Sequence, residues 1–170
     1  MLSHQEILKT CYPALTADYI RGAEPARSLF PYAPDEEGFR QCADNRPLSG
    51  ISMKVADALK RQNRGCGTSD LTEANLKKLS GRDCLCVVTG QQAGLFGGPL
   101  YVTYKVIRAV HLAEALENRL GRPVVPVYWV ETNDHDFDEV NHVRFIDRQN
   151  RLRKITCDPQ RPERLSIGCV

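Results

Sequence analysis

The sequence predicts an α/β fold built around a parallel sheet, and three observations carry that expectation. Cys84–Thr89 is a short continuous apolar run, the pattern of a strand buried on both faces of a parallel sheet. A glycine-rich loop from Gly90 to Pro99 follows it, and then a helix-length stretch from Leu100 to Leu120. A second apolar run, Val124–Val130, completes a strand, loop, helix, strand unit whose crossover should be right-handed.

Each element has its own signal. In Leu100–Leu120 the polar residues Lys105, Arg108, His111, Glu114 and Glu117 recur every third position, a narrow wet stripe on a helix otherwise buried against a sheet. Gly121 can cap this helix, and Pro123 prevents its continuation. Residues 143–155 alternate around Asp147-Arg148-Gln149-Asn150 and read as a β-hairpin. Upstream, Ile51–Asn63 places Ile51, Val55, Ala58 and Leu59 on one helical face. Asp70-Leu71-Thr72-Glu73 resembles a capping box opening a helix to Ser80, with Gly81 as its stop. Residues 22–50 are rich in turn formers (Gly22, Pro25, Pro31, Pro34, Gly38, Pro47, Gly50) and read as an irregular stretch wrapping the surface. The expected organisation is therefore a helical and irregular region, 1–83, packing on a core formed by 84–170.

Composition narrows the function. The 170 residues carry 23 Lys+Arg against 21 Asp+Glu, a formal net charge of +2, with 42% hydrophobic residues. This is an ordinary globular balance and not that of a generally basic nucleic-acid binder. After Val143 seven Lys/Arg face three Asp/Glu, but Phe145 is the one aromatic residue among them, too few for a stacking surface, so no nucleic-acid partner is expected. No run approaches the roughly 20 apolar residues of a membrane span, and Met1–Glu6 has no secretory pattern, so the expected location is the cytoplasm. Seven scattered cysteines argue against a disulfide framework, and Cys84 and Cys86 read as small buried hydrophobes.

Two stretches could carry chemistry. The loop Gly90-Gln91-Gln92-Ala93-Gly94-Leu95-Phe96-Gly97-Gly98-Pro99 matches neither dinucleotide nor P-loop spacing. Glycines at the carboxyl end of a strand nevertheless let backbone approach an anionic ligand, and Lys105 adds a positive charge about a turn into the helix. The bland alternative is a tight connection whose glycines merely allow close packing. The second stretch, Glu131 to His142, holds five carboxylates and two histidines in twelve residues. It begins where the second strand ends, on the same rim as the loop. Its readings are a polar substrate or ribose site around His135, or a solvated acidic helix start; the residues follow no recognised metal-ligand spacing, and no metal is expected.

Together these stretches resemble the BshC family of bacillithiol biosynthesis. Val88-Thr89-Gly90-Gln91-Gln92-Ala93-Gly94-Leu95-Phe96-Gly97-Gly98-Pro99-Leu100-Tyr101 is similar to that family's T-G-Q-Q-x-G-L-F-G-G-P-L-Y signature, extended by Tyr104-Lys105. Tyr128-Trp129 and Asp134-His135-Asp136-Phe137-Asp138-Glu139-Val140-Asn141-His142 resemble its F-W and D-H-D-x-x-E-x-N-H stretches, in order and spacing. The resemblance implies an incomplete Rossmann-like parallel sheet with flanking helices. It implies condensation of cysteine with the amine of glucosaminyl-malate, with ATP or ADP as the nucleotide. Carried across, Gly90, Gln91, Gln92, Gly97, Gly98, Tyr101 and Lys105 would line a nucleotide or substrate pocket. Asp134, His135, Asp136, Asn141 and His142 would face the reacting groups, the first three as catalytic residues. The loop lacks the two histidines with which class I nucleotidyl-transfer enzymes stabilise the transferred phosphate. Family members are several hundred residues longer and dimerise through a C-terminal coiled coil, so this chain reads as an N-terminal part, inactive alone. The rival reading is a non-catalytic ADP-binding module.

Overall fold

The computed structural model describes residues 3–46, 50–51, 53–133 and 137–157, and the chain divides into two compact units between residues 48 and 49. Among the described residues of the first unit there are four short helices: α1 (His4–Cys11), α2 (Ala14–Arg21), α3 (Glu24–Arg27) and α4 (Glu36–Asp44). Ser3 and Glu6 form a reciprocal capping box at α1, and Gly22, at φ 69°, closes α2 in the left-handed conformation that glycine adopts without strain. Thus 22–50, expected to be irregular, contains two helices. Their buried residues are Ala26 in α3 and Gly38 and Ala43 in α4, too small to print an apolar periodicity. A Cβ at Gly38 would collide with the Ala33 backbone, which explains the glycine there.

The second unit contains the expected α/β core. Helices α5 (Met53–Gly65) and α6 (Asp70–Leu79) precede strand β1 (Leu85–Gln92). A 3₁₀ turn at Leu95–Gly97 leads into α7 (Leu100–Leu120), then β2 (Val124–Glu131), a short α8 (Phe137–Val140), and the strands β3 (His142–Ile146) and β4 (Leu152–Thr156). The cap of α6 lies one residue earlier than the sequence suggests: the Ser69 hydroxyl accepts the Thr72 amide. β1 and β2 pair in parallel, from Leu85 opposite Val124 to Gln92 opposite Glu131. β3 and β4 form the expected antiparallel hairpin, its turn organised by the Asp147 carboxylate, which accepts the Gln149 and Arg151 amides. Gly121, at φ 63°, caps α7 as its position predicts.

The core lies between α7 and the sheet, where Ala113, Leu116 and Val124 are buried and Leu85, Val87, Leu112 and Leu120 pack around them. Alternation along β1 sends Leu85 and Val87 to α7 and Cys86 and Val88 to the opposite face. Along β1 that face is open, with Cys86 exposed and Val88 62% exposed, although Val125, opposite Cys86 on β2, is buried; this corrects the expectation of a strand buried on both sides. Cys84 is half-buried, and burial is the first cause pushing its thiol up to about 11, so it is a poor nucleophile at neutral pH. α7 also departs from expectation. Leu100, Tyr101, Tyr104 and Ile107 are exposed, because two strands are too narrow to cover all the apolar positions of a 21-residue helix.

Nor is its polar stripe uniformly wet. Glu117 accepts the Lys78 ammonium at 2.6 Å and the Val124 amide at 3.0 Å, tying α6, α7 and the start of β2 together. These partners, Lys78 first, hold its carboxyl below the usual carboxylate range. A depressed folded pKa stabilises above the unfolded pKa, near 4.5, and that stabilisation is lost as pH falls through the folded value. Glu117→Gln should therefore cost about 1 kcal/mol in urea unfolding at pH 7, and the difference from the parent chain should vanish in acid.

Candidate functional site

The carboxyl ends of two adjacent parallel strands are where α/β sheets bind ligands, and here β1 and β2 end together at Gln92 and Glu131. The ladder runs on for one bond, with the Ala93 amide donating to the Glu131 carbonyl. Gly90 is required by the sheet itself, since a Cβ there would lie 2.7 Å from the Trp129 carbonyl oxygen and 3.0 Å from the Trp129 Cβ. Beyond the strands the glycine loop folds tightly on itself. Its 3₁₀ turn is closed by the Gly97 amide on Gly94 O (3.0 Å) and the Gly98 amide on Leu95 O (3.1 Å). A Cβ on Gly94 would come within 2.7 Å of Gly98 Cα, so the close-packing reading accounts for Gly90 and Gly94. Gly97, by contrast, faces open space at φ 86°. Phe96, 78% exposed at the loop tip, occupies the left-handed region at φ 52°.

Lys105 is turned back from the first turns of α7 toward the end of β1. Its ammonium donates to the Gly90 carbonyl at 2.6 Å and to Gln91 Oε1 at 3.1 Å, and lies 5.9 Å from the centre of the Tyr101 ring. Gln91 donates to Gln92 Oε1, and Gln92 donates to the Glu139 carboxylate of α8 at 3.5 Å. Across the rim, Glu131 accepts from the Trp129 indole (3.3 Å) and the Asn133 amide (2.8 Å). Burial, and then the neighbouring Tyr101, raise the Tyr128 phenol.

The structure thus brings together Gly90, Gln91, Gln92, Tyr101 and Lys105 of the expected set. Asn141 and His142 form a second group: His142 Nδ1 lies 3.2 Å from Asn141 Oδ1, and Asn141 Nδ2 donates to Asp138 at 3.5 Å. α8 connects the two groups through Glu139. Gly97 and Gly98 belong to the loop turn. Asp134, His135 and Asp136 lie outside the described residues. Reading residue types and spacing did not single out Glu139, Glu131 or Trp129. Glu139 stood within the acidic stretch, but its contact with Gln92 depends on how the chain folds back. Among the described residues no three His, Cys, Asp or Glu side chains converge as metal ligands would. A groove of about 430 Å³ lined by Lys60, Arg64, Glu73, Ala74, Lys77 and Ser80 lies between α5 and α6; none of the rim residues lines it, and its ion pair of Arg64 with Glu73 is exposed.

A parallel strand–loop–helix–strand unit with polar side chains gathered at the carboxyl rim is the layout of a Rossmann-like domain. Residues 2–170 match the family model described as bacillithiol biosynthesis BshC, N-terminal Rossmann-like domain. The chain is 43% identical over 137 residues to a Geobacillus kaustophilus protein named "Putative cysteine ligase BshC", covering 78% of this chain and 25% of that one. Proteins of the same name from Heliobacterium modesticaldum and Bacillus cereus are 34% and 35% identical, over 92% and 91% of this chain and 30% and 29% of theirs. The chain belongs to the BshC family, and it spans less than a third of the length of these relatives.

Proposed function

We propose that this chain forms the first part of the active-site rim of a cytoplasmic ligase that joins cysteine to the amine of glucosaminyl-malate, giving bacillithiol. The observation that carries this reading is the meeting, on one rim of a BshC-family domain, of a lysine without a carboxylate partner among the described residues and the polar stretch that runs through α8 to His142. Free cysteine and glucosaminyl-malate are both polar and charged, which suits a rim of amides, one ammonium and several carboxylates. An amide forms from a free carboxylate only after activation, so ATP is the natural co-substrate, with the loop at Gly97, which faces open space, and Gly98 beside the nucleotide. Asp134, His135 and Asp136 serve the reacting groups. Full-length members act as homodimers, and the isolated chain has little or no ligase activity because the rest of the pocket comes from elsewhere.

The experiment that tests this reading uses a complete family member carrying His135→Ala. Bacillithiol formation should fall roughly 10²–10⁴-fold, the usual loss on removing an acid–base group. The stabilisation of that protein by ADP in a thermal-shift titration should be retained. Unchanged turnover would contradict the catalytic assignment, and loss of both readouts would move His135 to ligand binding.

A further inference from the structure

The two faces of the β3–β4 hairpin differ. Alternate residues of a strand share a side, so the register puts the cross-strand pairs Val143–Ile155 and Phe145–Arg153 on one face and Arg144–Lys154 and Ile146–Leu152 on the other. The first face is partly satisfied: Val143 is half-buried, and Arg153 donates to the Asp147 carboxylate at 2.8 Å. The second is not. Ile146 and Leu152 stand 67% and 71% exposed, and beside them two cations oppose each other across the ladder. Side chains directly opposite lie only about 5 Å apart at Cβ, where like charges repel. Among the described residues neither Arg144 nor Lys154 has a carboxylate partner. β4 is exposed at all five positions, and a two-stranded hairpin left in water is only marginally stable. A lysine on an edge strand guards against strand-to-strand aggregation. That explains Lys154 alone, but neither the arginine opposite it nor the exposed aliphatic pair beside both.

We propose that this face is the docking surface for an acidic, amphipathic segment of the family's polypeptide beyond residue 170. Its carboxylates lie between Arg144 and Lys154, and an aliphatic side chain of the segment covers Ile146 and Leu152. Charge complementarity sets the chemistry. Residues 143–157 carry Arg144, Arg148, Arg151, Arg153 and Lys154 against the single carboxylate of Asp147, which Arg151 and Arg153 share. A carboxylate placed between Arg144 and Lys154 turns their repulsion into two charge-assisted contacts. The length of the relatives selects the partner. This N-terminal domain covers 25–30% of them, so most of the polypeptide lies outside it. A segment of the same chain meets the hairpin at an effective concentration of up to about millimolar, ahead of a free protein.

The test compares the 170-residue chain with a complete family member that carries the same arginine–lysine pair. A water-soluble carbodiimide, which joins an amine to a carboxylate in contact with it, should link Lys154 of the complete protein to an Asp or Glu beyond residue 170. Acetylation of Lys154 should be about tenfold slower there than in the 170-residue chain, the weight of one charge-assisted hydrogen bond. Lys154→Glu separates docking from a role within the hairpin. In the 170-residue chain it turns a like pair into an opposite pair, so the β3–β4 amides should exchange about two- to fivefold more slowly. In the complete protein it sets a carboxylate against the acidic segment, and the same amides should exchange faster than in the parent. Slower exchange in both proteins, or a lysine equally reactive in both, would overturn the proposal. So would a link from Lys154 to a carboxylate within residues 1–170 or to a second copy. Protection that arises only on adding an RNA or DNA duplex would overturn it in favour of a nucleic-acid surface.

Discussion

Leu116→Ala should destabilise the α/β unit by about 2–5 kcal/mol, the usual range for emptying a leucine site in a close-packed core. Leu116 is buried with Ala113 and Val124 at the centre of the contact between α7 and the sheet, among Leu85, Val87, Leu112 and Leu120. Ala113 has no volume to spare and the strands are fixed by their ladder, so little can collapse into the gap. Domain stabilities run to about 5–15 kcal/mol, so this single change removes a large share. Urea unfolding followed by far-UV circular dichroism measures it as a lower midpoint at unchanged slope. Leu100→Ala, on the exposed start of the same helix, should stay within about 0.5 kcal/mol of the parent chain. Equal losses for the two variants would show that α7 does not pack as described.

The next largest effect belongs to Gly90→Ala, expected to cost about 1–3 kcal/mol as an overpacked contact. The new methyl would press on the Trp129 backbone, 2.7 Å from its carbonyl oxygen, and neither strand can yield without disturbing the ladder. Because the Gly90 carbonyl also accepts the Lys105 ammonium, the same methyl shifts the rim. Gly65→Ala is the control. Nothing lies within 4 Å of its added methyl at the end of α5, so it should be neutral or slightly stabilising. A Gly90→Ala chain as stable as the parent would mean the strands are farther apart at this level.

The parts of the fold that could be read in advance were those where a long apolar run or a cap fixes the local choice. Val124–Val130, Gly121 and the Asp147 turn each had one such signal, and each stands where expected. The open face of β1 was not legible, since an apolar run does not tell how many layers cover it, and Val88 and Trp129 stand 62% and 63% exposed. The first unit hid its helices because they bury alanines and a glycine in place of large side chains. Within the site, the charge of Lys105 was evident, but its attachment to Gly90 and Gln91 depends on α7 returning across the end of β1. Glu139 entered through a contact 47 residues distant in sequence from Gln92, beyond any local pattern.

The central claim is that the carboxyl ends of β1 and β2, with α8, form the ligand site. It is tested most directly by following the backbone amides of the chain by NMR during titration with reduced L-cysteine. The account predicts saturable shifts at Gly90–Gln92, Lys105 and Glu139–His142, with the α5–α6 groove around Lys60 and Lys77 unmoved. Shifts confined to that groove or to the turn at Asp147–Arg151, or no shifts at all, would contradict it.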